Sequence, residues 1–186
     1  MIILVAYATR HGSTAGIAER IAARLRTAGL TATVSHVQDV REVATYDAVV
    51  LGGAAYMYHW LKDATRFARH HQAELRERPV WLFSSGPLGT DLVDDEGRDV
   101  LEGSRPREFE ELTTLLQPRG EKVFFGAHDP DGPPVGLGER LVRHLPAARE
   151  AIPAGDFRDW PAIDAWATEI AEELGAESIG RPAVDH

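Results

Sequence analysis

The sequence contains no cysteine. That excludes disulfide frameworks, thiolate metal sites, iron–sulfur ligation and a cysteine nucleophile, and it fits a reducing compartment. No apolar run approaches the ~20 residues needed to span a bilayer. The opening Met1–Ala6 run is short and lacks the basic flank of a signal peptide. A soluble, cytoplasmic protein is therefore expected. Positive charge is scarce: 20 basic against 29 acidic residues give a net charge of −9. Such a balance disfavours nucleic acid and anionic lipid as partners and favours partners with a basic docking face. The basic groups at Arg66–Arg69 and Arg76–Arg78 lie among acids and read as helix surface.

Several motifs are also missing. There is no G-x-x-x-x-G-K-[ST] loop, no G-x-G-x-x-G fingerprint and no G-x-S-x-G elbow, so Ser84 and Ser85 are poor nucleophile candidates. Asp94-Asp95-Glu96 and Asp129-x-Asp131-Gly132 lack the spacing of a calcium loop. His70 and His71 are adjacent on a predicted helix, where neighbouring side chains diverge. No metal site is expected.

What is present is an alternation of buried strands and amphipathic helices across 186 residues, the length of one domain. Ile2–Ala6 is a continuous apolar run, as in a strand covered on both faces. Ile17, Ala18, Ile21, Ala22 and Leu25 recur at helical spacing, and Gly29 then ends that helix. Thr31–Val37, Ala48–Leu51, Val80–Phe83 and Lys122–Phe125 read as further strands. Leu61, Ala64, Phe67, Ala68 and Leu75 mark one long second helix. A third opens at Pro106, carries Phe109, Leu112, Leu115 and Leu116, and closes at Gly120. The last begins at Asp159-Trp160-Pro161 and runs to about Leu174, leaving 175–186 as a flexible tail. Irregular insertions are expected at 86–105 and 127–155, the second with a short helix near Glu139–Leu145. Five strands alternating with helices imply right-handed crossovers and a doubly wound parallel sheet with helices on both faces.

In such a sheet ligands bind beyond the carboxyl ends of the strands, so the loops there are the candidate site. After the first strand, Thr9, Arg10, His11, Gly12, Ser13 and Thr14 supply hydroxyls, a flexible glycine and the N-terminus of a helix. Uncapped amides and the helix dipole attract an anion there, and hydroxyls with little positive charge suit a phosphate monoester. The same loop also reads as an ordinary turn with Ser13 or Thr14 capping the helix. After the third strand come Gly53, Ala54, Ala55, Tyr56, Met57 and Tyr58, small residues followed by aromatics able to flank a flat ligand. Trp60 reads instead as a core plug and His59 as a solvent-facing histidine. After the fourth strand, Ser84, Ser85, Gly86, Pro87, Leu88 and Gly89 form another small, kinked loop with amides to offer.

The Thr9-x-x-Gly12-Ser13-Thr14 loop resembles the phosphate loop of flavodoxins. The fuller Ala8–Thr14 stretch is most similar to the menaquinone-dependent protoporphyrinogen dehydrogenase branch of that superfamily. So are Tyr46-Asp47-x-Val49-Val50-x-Gly52 leading to Tyr56 and His59, Val123-Phe124-Phe125-Gly126-Ala127, and Asp159-Trp160. The resemblance implies a flavodoxin-like fold of strand order 2-1-3-4-5 and a bound flavin mononucleotide (FMN). In that reading Thr9–Thr14 hold the phosphate, and Gly53–Tyr58 and Ser84–Gly89 flank the ring. It implies an oxidoreductase removing hydrogen from a porphyrinogen- or quinone-like substrate, with reoxidation by a quinone. It assigns no catalytic acid or base. The sequence departs from the branch in its acidic insertion, with Asp91, Asp94, Asp95, Glu96, Asp99 and Glu102. Anionic lipid should repel that segment. The acidic balance also fits a different class, an electron carrier docking to redox partner proteins.

Overall fold

The computed structural model describes residues 1–130 and 153–180. Strands β1 (Ile2–Ala8), β2 (Thr31–His36), β3 (Ala48–Tyr56), β5 (Val80–Ser85) and β6 (Gly120–Phe124) form a parallel sheet in the order β2-β1-β3-β5-β6. This is the expected 2-1-3-4-5 order once the two-residue strand β4 (His59–Trp60) is set aside, which pairs antiparallel with β3. A separate antiparallel pair joins β7 (Ala127–His128) to β8 (Gly155–Asp156).

Each central strand is apolar on both faces because helices cover both. Ile3, Val5, Val50, Trp81 and Phe83 pack under α1 (Ser13–Thr27) and α6 (Trp160–Gly180). Leu4, Ala6, Val49, Leu51 and Leu82 pack under α2 (Lys62–His70), α3 (Gln72–Arg76) and α5 (Glu108–Leu116). Helix α1 ends as its glycine predicts. Gly29 adopts φ 87°, its amide bonds to the Arg26 carbonyl, and the Leu30 amide bonds to that of Leu25. This is the paired-bond stop that a left-handed residue permits. At the start of α6, Asp159 accepts a hydrogen bond from the Ala162 amide at 3.0 Å.

Several boundaries differ from expectation. The long second helix is two, α2 and α3, broken at His71. Helix α5 opens two residues after Pro106, and it ends at left-handed Gln117 (φ 52°) rather than at Gly120, which belongs to β6. Helix α6 continues beyond Leu174 to Gly180. Strand β3 runs through Gly52 and Gly53 instead of closing there, because each glycine accommodates a large ring. A Cβ on Gly52 would overlap the fully buried Phe83 ring, and one on Gly53 would lie 2.6 Å from the Trp60 indole nitrogen. The insertion at 86–105 holds a short helix, α4 (Val100–Gly103). The helix expected near Glu139–Leu145 lies outside the described residues.

Candidate functional site

Four loops meet at the carboxyl end of the sheet. The loop after β1 turns at Gly12 in a left-handed conformation (φ 82°), with open space where a side chain would project. Gly12 itself caps α1, so neither Ser13 nor Thr14 does, and no side chain among the described residues caps the helix. Among the described residues, the amides of Ser13, Thr14 and Ala15 have no acceptor; the first intrahelical bond is Gly16 N–H to the Gly12 carbonyl at 3.1 Å. The three hydroxyls of the loop differ in role. Thr9 Oγ1 accepts from the Gly12 amide at 3.0 Å, and Ser13 Oγ accepts from the Ala127 amide at 2.9 Å. Each still has its own proton to donate. Thr14 is fully buried, and its hydroxyl is paired with Ser85 Oγ at 2.8 Å, tying α1 to the end of β5. Thr14 is a strut.

The loop after β3 is a hairpin. Tyr56 pairs with His59 across a two-residue turn in which Met57 and Tyr58 both take positive φ, 49° and 65°. Non-glycine residues seldom adopt that conformation, so the surroundings must hold it. Glu108, in the first turn of α5, accepts from the Trp60 amide at 2.9 Å and pairs with His59 Nδ1 at 2.9 Å. The Arg107 amide donates to the Tyr58 carbonyl at 3.0 Å, and the Trp60 indole donates to the Gly53 carbonyl at 2.9 Å. Burial works against the Glu108 carboxylate. The hydrogen bonds from Trp60 and His59 outweigh it and hold its pKa below the ordinary glutamate value. Trp60 is the core plug the sequence suggests, whereas Tyr56, Met57 and Tyr58 stand exposed. His59 is exposed yet bonded to Glu108.

Ser84 and Ser85 end β5 on opposite faces of the sheet. Both are buried; Ser85 meets Thr14, and Ser84 Oγ has no partner among the described residues. Gly86 sits against Ala55, whose carbonyl oxygen would be 3.2 Å from a Cβ placed there. The Pro87 carbonyl accepts from the Gly126 amide at 2.9 Å. Gly126 is the meeting point: a Cβ there would lie 3.5 Å from Ser13 Oγ, 3.6 Å from Leu88 Cδ2 and 3.7 Å from the Gly86 nitrogen. The Arg10 guanidinium stacks 5.3 Å from the Tyr56 ring centre, linking the first loop to the hairpin. The structure thus brings the three predicted segments to one place. Within them it turns Gly53 toward Trp60 and Thr14 inward.

The loop after β6 entered the sequence reading only through the Val123–Ala127 resemblance, with no site residue assigned to it, and the strand that returns to it was not singled out. Ala127 binds Ser13, and Arg158, just after β8, reaches the Ser13 carbonyl through Nη1 at 3.4 Å. Asp156 holds Arg158 through Nε and Nη2, each at 2.7 Å, and those bonds depress the Asp156 pKa. The only signal in the sequence was position: Arg158 directly precedes the Asp159 cap of a helix that must return beside α1. Glu108 likewise looked like an ordinary first-turn acid.

A family model for the Flavodoxin domain matches residues 4–132. The protoporphyrinogen IX dehydrogenase (quinone) of Escherichia coli is 30% identical over 86 residues, 45% of this chain and 48% of that protein. The match therefore spans about half the length of the curated relative. Among solved structures, a flavodoxin from the domain Archaea has a TM-score of 0.57 at 16% identity, covering 94% of this chain and 99% of that one. A flavodoxin variant from Pseudomonas aeruginosa has a TM-score of 0.56 at 14% identity, with the same coverage of 94% and 99%. These likenesses agree with the strand order. The open left-handed glycine, the unpaired amides at the mouth of α1 and the hydroxyl protons of Thr9 and Ser13 also fit the phosphate ester of FMN. With two thirds of its length matched by the family model, the chain belongs to the flavodoxin-domain family, and its cofactor is FMN.

Proposed function

We propose that this protein is an FMN oxidoreductase that removes hydrogen from a reduced porphyrinogen- or quinone-like substrate. FMN, when bound, would supply the redox chemistry: two-electron oxidation of the substrate with a quinone as final acceptor. The chain's own residues bind and position. Thr9, Gly12 and Ser13 hold the phosphate, Thr14 and Ser85 brace the loop from beneath, and the Tyr56–Tyr58 hairpin and the Gly86–Gly89 loop border the ring.

The observation that carries this reading is where apolar surface is left exposed. Apart from Met1 and Ile2, the large apolar side chains exposed among the described residues are Tyr56, Met57, Tyr58, Leu92 and Val93. Tyr56 ends β3, Met57 and Tyr58 form the turn that follows it, and Leu92 and Val93 lie in the insertion after β5. Exposed apolar groups such as Tyr56, Met57 and Tyr58, side by side at the carboxyl end of β3, mark a binding surface. Their aromatic character suits a flat, weakly polar substrate. The partial identity with the E. coli dehydrogenase supports the same class.

A carrier of electrons between proteins is the second reading. The acidic insertion favours it: Asp91, Asp95 and Glu102 are exposed in the segment that follows β5. Anaerobic mixing separates the two. Bleaching of the oxidised flavin by protoporphyrinogen or a menaquinol analogue alone, at a rate that saturates with substrate, supports the enzyme. Reduction only in the presence of a reductase protein supports the carrier.

A further inference from the structure

We propose that Arg158 gives the cofactor pocket its preference for a phosphorylated flavin over riboflavin. This rests on the reading of Thr9–Ser13 as the phosphate site and adds a residue from the far end of the chain. Helix α1 carries glycine at position 16, inside its first turns, where glycine is disfavoured. The position is explained by what lies against it. A Cβ there would overlap the Arg158 guanidinium, and Trp160 closes the same notch from 3.8 Å.

The guanidinium is fixed in that notch on each side. It stacks 4.4 Å from the Trp160 ring centre, and Asp156 holds Nε and Nη2 at 2.7 Å. The remaining nitrogen, Nη1, faces the Ser13 carbonyl at 3.4 Å, and the side chain is only 18% exposed. The first turn of α1 contains no acidic residue to oppose it. A fixed cation therefore lies beside the turn whose unpaired amides form the anion site. Asp156 offsets part of its charge. Arg10, the other arginine at this site, sits across the loop against Tyr56. Riboflavin lacks the phosphate, so a charge acting on the phosphate changes FMN affinity and leaves riboflavin affinity alone.

The test titrates the apoprotein with FMN and with riboflavin, following quenching of flavin fluorescence. Arg158→Met is expected to lower the FMN-to-riboflavin affinity ratio about three- to tenfold, with riboflavin binding unchanged. Asp156→Asn, which removes the offsetting charge while Trp160 still holds the arginine, is expected to raise the ratio. Parallel loss of both ligands in both variants would mean that Arg158 only props the β7–β8 hairpin, and the proposal would fall. An unchanged ratio in Arg158→Met, with wild type still preferring FMN, would overturn it too. If wild type itself showed no preference for FMN, the phosphate site would be the error instead.

Discussion

Replacing Thr14 with valine tests whether its hydroxyl belongs to the cofactor or to the scaffold. The side chain is fully buried, and its hydroxyl lies 2.8 Å from that of Ser85, which is 2% exposed. Valine keeps the shape and removes the partner, leaving the Ser85 hydroxyl stranded in the core. A buried polar group so orphaned costs about 1–3 kcal/mol, whereas removing both partners together is close to neutral. Thr14→Val and Ser85→Ala should therefore each destabilise the apoprotein by about 2 kcal/mol, roughly a 4–8 °C fall in Tm for a chain of this size. The double variant should lose no more than about 1 kcal/mol, a coupling of about 3 kcal/mol in a urea-denaturation cycle. Its FMN affinity should match wild type. Additive losses would show that the two hydroxyls do not depend on each other. Recovered stability with a tenfold loss of FMN affinity would show that the Thr14 proton goes to the phosphate, contrary to the structure.

Three other outcomes are expected. Gly12→Val should abolish FMN loading while leaving unfolding cooperative, because a branched side chain at φ 82° both strains the turn and fills the open mouth of α1; a variant that still purified yellow would contradict this. Glu108 has a lowered pKa, so the stability it lends the hairpin is present above the ordinary glutamate value of about 4.3 and is lost as pH falls through its own lower value. The protection factor of the Trp60 amide against hydrogen exchange should fall in that acid range in wild type and be low at all pH values in Glu108→Ala; a protection factor independent of pH in wild type would rule the clamp out. Gly52→Ala should destabilise by about 1–3 kcal/mol because the new methyl meets the Phe83 ring, and Phe83→Leu should relieve part of the loss. Equal loss in the single and double variants would place the strain elsewhere.

Much of the fold was legible from local pattern. Apolar runs such as Ile2–Ala6 and Ala48–Leu51 have no polar face to offer solvent, which is why they lie at the centre of a parallel sheet. Gly29 and Asp159 marked a helix end and a helix start through backbone chemistry that acts within a few residues. The errors came where a distant ring decided the outcome. Gly52 and Gly53 look like loop glycines until Phe83 and Trp60 are seen above them, and then they are strand positions that only glycine can fill. Gly120 was misread for a similar reason: it pairs with Trp81 in the sheet, while Gln117 takes the left-handed stop.

By itself the sequence determined the order and type of the main elements, the doubly wound topology and the identity of the loops at the sheet's carboxyl end. Those follow from periodicity, turn chemistry and the handedness of crossovers, all local or generic. Tertiary structure alone decided which hydroxyls of the first loop face outward, how the Met57-Tyr58 turn is held and that Arg158 lies beside α1. Each of those depends on a partner tens of residues away: Thr14 on Ser85, the hairpin on Glu108, and Arg158 on Gly16 and Ser13. A hydrogen bond or a packing notch acts over a few ångströms of space, and the sequence records no such distance.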